Sequence, residues 1–548
     1  MLSNRSWHVF LLLVSASMAA ACQPASTPAA SPVTATVAVA VSTAAATQPA
    51  TATAVGAPAT TTTAPTQVAA SPAGATPSIP PPQATAIAAA TSAPSPTREA
   101  TTAAAPSPLP GARAKVEVQP VSQGPVLLRA GITLRKVIGV GEGDVKLALN
   151  PADGALYYLH AANGLYRVQL NPTANTTKVA GKQDIVPDGN PAGMTFGPDG
   201  TLYVVVNRKV DSTHTQAIIR KGTPGAQLSW STLASTEPYQ LSNTNFDHLY
   251  NGIAVSPDGK WVFVNAGSRT DHGEVETSSG AFPDLREVPL TSAILRVPAD
   301  ARDLTLPADE NALKPYLFVD GTRNAYDIRF APNGDLFATD NGPDADYPDE
   351  LNWIREGRHY GFPWRFGNQD NPQQFPGYDG SKDVRLSTDF IAVKNGTYQN
   401  DPGFPKPPTT TFTAPVVNLG PDAAQYRGDD GQQHDAAAEG KPLYTFTPHR
   451  SPLGLAFVSD PKMPADLRSN SSTLSAFMLS WGSVGGTLSD KGQDLLQIRL
   501  TKRGDNYEAV TSQFARGFSN PIDAVTIENR LYVLEFGRNA ALWELTFE

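Results

Sequence analysis

A short phrase recurs along the chain and restricts its architecture more than any other feature. It consists of an apolar run, a turn built on Pro and Asp or Asn and closed by Gly, and a second apolar run. Four clear copies cover 147–159, 194–206, 253–264 and 328–339, with turns ending at Gly154, Gly200, Gly259 and Gly334. Two weaker copies pair 455–457 with 474–479, and 524–527 with 530–534. The glycine supplies a positive φ and the Asp or Asn bonds its own backbone, so each copy reads as a strand, a tight turn and a strand. The runs are rich in Val, Ile, Leu, Tyr and Phe, and no helical period is prominent. Six such hairpins predict an all-β chain, a six-bladed β-propeller. A pair of β-sandwiches is the structural alternative, but it leaves the recurrent turn unexplained. The repeat is longer than the about 40–45 residues of short propeller repeats, so loops must take up the excess.

The chain of 548 residues is not uniform. Residues 1–112 carry only Arg5, Arg98 and Glu99 as charged groups, so the acidic balance, a formal −9 over the whole chain, lies in residues 113–548. An acidic body without a basic run argues against a nucleic-acid partner. Arg5, the apolar run Val9 to Ala21 and the sole cysteine, Cys22, read as a lipoprotein signal over 1–22, with an ordinary cleaved signal as the alternative. Residues 23–112, mostly Ala, Thr, Ser, Val and Pro without an aromatic residue, read as a disordered linker. The propeller is assigned to 113–548, with a loop insertion at about 374–450. The expected location is the outer face of a membrane, touched only through a lipid anchor on Cys22.

Two segments carry the candidate chemistry. Asp247-His248 precedes the third hairpin, and an imidazole at a propeller mouth is either a general base or a rim residue bonded to a carbonyl. Around the fourth hairpin, Arg323-Asn324 comes first, and a loop with Asp340, Asp344, Asp346, Asp349 and Glu350 comes after it. That loop is either a solvated acidic surface or an oxygen-rich site for a cation such as Ca²⁺. Its spacing is not that of an EF-hand.

These residues resemble the glucose/sorbosone dehydrogenase family, six-bladed propellers that use pyrroloquinoline quinone (PQQ) and Ca²⁺. The likeness is densest from Gly321 to Trp364, through Arg323-Asn324, the Pro-Asn-Gly hairpin, Asp340 to Pro343, Asp349 to Asn352 and Tyr360 to Trp364. Asp247-His248 and the run Ser451 to Phe457 match more weakly. The resemblance implies a sugar or aldose dehydrogenase that passes hydride from a hydroxyl carbon to PQQ and then electrons to an external acceptor. His248 would take the hydroxyl proton, Asp247 would orient it, and Arg323 would stabilise charge on the quinone. Asn324 and Trp481 would touch the cofactor, and the carbonyls of Gly342 and Pro343 would ligate Ca²⁺. Cationic contacts are expected from Arg269, Arg323 and Arg450 at the mouth.

The likeness has gaps. Where the family grips the PQQ carboxylates with basic side chains, this chain has Asn520 and Ile522 in the sixth repeat. In the fifth it has Leu479 to Ser483, without lysine. Two other readings therefore stand beside the dehydrogenase. One is a surface propeller that binds glycan or protein without catalysis. The other is a metal-dependent, lactonase-like hydrolase.

Overall fold

The computed structural model describes residues 124–170, 174–483 and 485–548. The signal at 1–22, Cys22 and the linker at 23–112 lie outside the described residues. The six repeats are the inner hairpins of six antiparallel blades. In order, their innermost strands are Asp144–Leu149, Asn190–Phe196, Ile253–Val255, Ala325–Phe330, Pro452–Phe457 and Pro521–Ile527. Each touches the next, and the sixth touches the first, so the strands form a closed ring. Blade four has three strands, Ala325–Phe330, Leu336–Asp340 and Glu350–Ile354; the other blades have four or more. The last blade is finished by the N-terminal strand Ile132–Gly139, which pairs with Ala541–Phe547 from the C-terminus.

Strand periodicity explains how the blades stack. Successive side chains of a strand point to opposite faces, and here both faces are covered. In Leu202–Lys209, Tyr203 and Val205 pack towards blade three, while Val204 and Val206 pack towards blade one. In Leu336–Asp340, Phe337 faces blade five, while Leu336 and Ala338 face blade three. Each of the six gaps between blades holds one apolar cluster, and the cluster of Leu147, Leu156, Tyr532 and Leu534 joins blade six to blade one. This two-sided burial explains why the strands read as continuous apolar runs rather than as an alternation.

Buried ions occupy the centre of the ring. Lys146 Nζ lies 3.1 Å from Asp327 Oδ1, and Arg329 bridges Asp327 at 3.1 Å and Asp523 at 3.2 Å. The same carboxylates accept the backbone N–H groups of Leu455 and Leu147, each at 2.9 Å. Four blades are thereby tied at the axis. The stretch 374–450 is folded. It contains the short helix Ile391–Lys394 and the hairpin of Gln425–Arg427 with Gln433–Asp435, and Val417–Pro421 runs parallel to a strand of blade five.

Candidate functional site

The inner strands of blades three to six begin at one mouth of the ring, and the residues at and just before those starts line a cavity of about 170 Å³. Asp247, His248, Asn251, Arg323, Asn324, Gly342 and Asp344 border it on the side of blades three and four, with His449 and Ser451 before blade five. Tyr326, Leu453, Trp481 and Ile522 complete an apolar wall. The cavity therefore gathers His248, Asp247, Arg323, Asn324, Trp481 and Gly342. Pro343 is buried beside it and is not among its lining residues.

The imidazole of His248 is held in one tautomer. Ser268 Oγ donates to the Thr270 carbonyl at 2.8 Å, so it accepts from His248 Nδ1–H at 3.1 Å. This leaves the lone pair of Nε2 for the cavity. Burial pushes the imidazole down to about 3, and the neighbouring Arg323 adds to this against the pull of Asp271. The ring is neutral at physiological pH, and the same burial makes its free nitrogen a weaker base than an ordinary imidazole. Ser268 is thus the residue that orients His248, a role expected of Asp247. The Asp247 carboxylate instead accepts the N–H groups of Ser242 and Asn243, both at 2.8 Å. It shapes the chain leading into His248 and does not hold its ring. Ser268 is part of the loop that closes the third hairpin, but nothing in its residue type distinguished it.

Gly267 makes the approach possible. A Cβ there would stand 1.9 Å from the His248 carbonyl oxygen and 2.6 Å from the His248 Cβ. Gly267→Ala is therefore expected to push His248 aside. Displacing a catalytic group by about 1 Å costs about 10²-fold in rate. Steady-state turnover, with a circular-dichroism melt confirming the fold, checks this.

Arg323 is fixed from three sides. Its Nε donates to the Asp271 carbonyl at 2.7 Å, Nη2 to Asp271 Oδ1 at 2.7 Å, and Nη1 to the Asn341 carbonyl at 3.1 Å. Asp340 accepts the N–H groups of Arg323 and Asn324 at 3.1 and 2.6 Å, which sets the backbone of the pair. Burial opposes ionisation of Asp271, but Arg323 and His272 overcome it and hold the carboxyl well below its ordinary value. The folded insertion reaches this assembly. Tyr398 OH donates to Asp271 at 3.1 Å, and the Tyr398 ring stacks on His272 at 3.8 Å. Asp344 accepts the N–H groups of Ile391 and Ala392 at 2.8 and 3.1 Å. The amino-acid sequence suggests no role for this segment; the structure makes it a brace for the site.

The other expected cations are elsewhere. Arg269 is buried, and its guanidinium donates to the carbonyls of Leu241, Glu276, Leu285 and Arg286. Arg450 is buried against Asp490 and Asp494. Neither lines the cavity, so Arg323 alone of the three faces it. The acidic loop is not a solvated surface either: Asp340, Asp346, Asp349 and Glu350 are buried, and their oxygens accept from backbone N–H groups, Arg427, His449 and Asn352.

These residues fit the implied cofactor and metal only in part. Arg323 and Asn324 are suitable donors to quinone oxygens. The three carboxylates of PQQ are another matter, because Ile522 and Trp481 stand where basic side chains are needed. For Ca²⁺, the Pro343 carbonyl accepts Ala345 N–H at 2.8 Å and keeps its second lone pair. Among the described residues no group of three or more His, Cys, Asp or Glu side chains is arranged for a metal ion. The donor set therefore fits neither the PQQ carboxylates nor a calcium ion held by side chains.

Several solved structures match the chain at low identity. The chain is 14% identical to the soluble aldose sugar dehydrogenase of Escherichia coli in its apo form, over 76% of this chain and 100% of that one, with a TM-score of 0.47. It is 14% identical to the PQQ domain of pyranose dehydrogenase from Coprinopsis cinerea, over 77% and 97%, with a TM-score of 0.48. It is 10% identical to a gluconolactonase from Xanthomonas campestris, over 78% and 96%, with a TM-score of 0.35. No curated protein matches the chain. The model of the glucose/sorbosone dehydrogenase family matches residues 143–385, which run from the first blade through the loop that frames the cavity, and over this segment the chain is similar to that family.

Proposed function

We propose that this chain oxidises a hydroxyl of a sugar-type substrate, with His248 as general base and Arg323 as the group that steadies charge on a redox acceptor in the same cavity. One observation carries the reading: an imidazole with a fixed tautomer and a guanidinium with a fixed position border one cavity. A base that removes the hydroxyl proton makes the attached carbon a hydride donor, and a rigid cation lowers the energy of the charge that the hydride creates. PQQ with Ca²⁺ is the acceptor that the family resemblance implies. Arg323 and Asn324 support its quinone edge, whereas the wall of Trp481 and Ile522 does not support its carboxylates. The test is dye reduction by the purified chain across a panel of aldoses, with and without PQQ and Ca²⁺. Sugar-dependent reduction is expected with at least one acceptor, and its absence with every sugar and every quinone overturns the reading.

We further propose that the enzyme works outside the cytoplasm, anchored through Cys22 on its Ala/Thr/Pro-rich segment, and hands electrons to an external partner. The basis is the signal-like run that ends at this sole cysteine. Cys22→Ser is expected to move the protein from the membrane pellet to the soluble fraction and to abolish labelling by a palmitate analogue. Fractionation and labelling of expressing cells check both.

A further inference from the structure

We infer that the mouth cavity takes an uncharged quinone ring in preference to a polyanionic one. This rests on the oxidoreductase reading above and names the class of its acceptor.

The charge on the lining sets the preference. Among the described lining residues the basic groups are Arg323 and His449, His248 being neutral. Each already has an acidic partner outside the lining: Asp271 at 2.7 Å from Arg323, and Asp346 at 3.0 Å from His449. Asp346 also holds Arg427, at 2.9 Å. The lining adds the carboxylates of Asp247, Asp344 and Asp349. No surplus positive charge is left among these residues to balance a polyanion, and desolvating carboxylates without partners is costly. The wall of blades five and six makes the cost specific. Leu453, Trp481 and Ile522 are buried and border the cavity, with Tyr326 beside them. Trp481 packs on Phe536, 5.6 Å between ring centroids, which steadies its indole. A flat ring meets apolar surface there, while Arg323 and the amide of Asn324 face it from blade four. The arrangement supplies donors for one or two ring oxygens, while Leu453, Trp481 and Ile522 offer no cation to a carboxylate on the far edge.

The chemistry balances with such an acceptor. The substrate C–H bond breaks and its electron pair moves as hydride to the quinone, while the O–H proton passes to His248 Nε2. The substrate gains a C=O bond, and the proton on His248 completes the hydroquinone. One hydroxyl is oxidised by two electrons and one quinone is reduced by two electrons and two protons.

The experiment is calorimetric titration of the purified full chain with 1,4-naphthoquinone and, separately, with PQQ in the presence and absence of Ca²⁺. The expected result is that naphthoquinone binds at least 10-fold more tightly than PQQ under either condition. Ile522→Arg is expected to strengthen PQQ binding at least 10-fold, and Trp481→Ala to weaken naphthoquinone binding by a similar factor. The wild-type comparison stands even if the variants do not fold. PQQ binding more tightly than naphthoquinone overturns this inference and leaves the oxidoreductase reading intact. Binding of neither, with no sugar-dependent dye reduction, overturns both.

Discussion

Replacing His248 by alanine is expected to lower the rate of sugar oxidation by about 10²–10⁴-fold, the usual contribution of a positioned general base. The fold should survive, because the ring's visible hydrogen bond is the one to Ser268 Oγ at 3.1 Å and its other nitrogen faces the cavity. The pH profile separates a base from a bystander. His248 is pushed down to about 3, so it is unprotonated through the neutral and mildly acidic range. Turnover should show no inflection from this residue between about pH 5 and 8, where an unperturbed histidine would titrate. An inflection near 6.5 that disappears in His248→Ala would show that the ring is not buried against Arg323 in the working enzyme. Ser268→Ala releases the tautomer and is expected to lower kcat while leaving KM little changed.

The second large effect concerns stability. Asp327→Asn removes the charge that faces Lys146 and Arg329 at the axis, leaving buried Lys146 without its ion-pair partner and Arg329 with Asp523 alone. Breaking a buried pair from one side costs about 3–5 kcal/mol, which equilibrium denaturation in urea would read directly. Burial works against ionisation of Asp327, but Arg329 and Lys146 outweigh it and hold the carboxyl below its ordinary value. A depressed carboxyl adds stability above the unfolded value of about 4, and that stability fades as the pH falls through the folded value. The gap between wild type and Asp327→Asn should therefore be widest near neutral pH and shrink in acid. Asp523, which burial pushes upward, acts in the opposite sense in both proteins. Asp327 itself adds to that upward push on Asp523, so the difference between the two proteins reports the coupled pair.

The inner hairpins were legible because their signal is local. A turn that needs Gly154, Gly200, Gly259 or Gly334 at positive φ announces itself in four residues. The closing strand Ile132–Gly139 had no such signal, since its partner lies at the other end of the body and half of its face is exposed. The site divides in the same way. His248 could be assigned to a mouth because it stands at the entrance of a hairpin strand, whereas Arg323, Asn324, Gly342 and Trp481 are tied to the same site through the family resemblance. What their side chains bond to could not be read. Asp247 turning back to Ser242 and Asn243 is a local turn that its residue type does not announce, while Arg269 spent on four carbonyls and Arg450 held by Asp490 and Asp494 depend on loops that meet in the folded ring. Tyr398 is the extreme case, 127 positions from the carboxylate it steadies.

The pairing of Ile132–Gly139 with Ala541–Phe547 also has a consequence for biosynthesis. The ring cannot lock until its final strand has left the ribosome, because the last blade is shared by the two ends of the body. Closing so long a loop is slow relative to forming any one hairpin. A growing chain can therefore form blades one to five in order and still remain an open arc, with the edges of the first and last blades unpaired. Deleting the last strand should leave Ile132–Gly139 and Arg530–Glu535 each without a partner along one edge, two sheet edges exposed to aggregation.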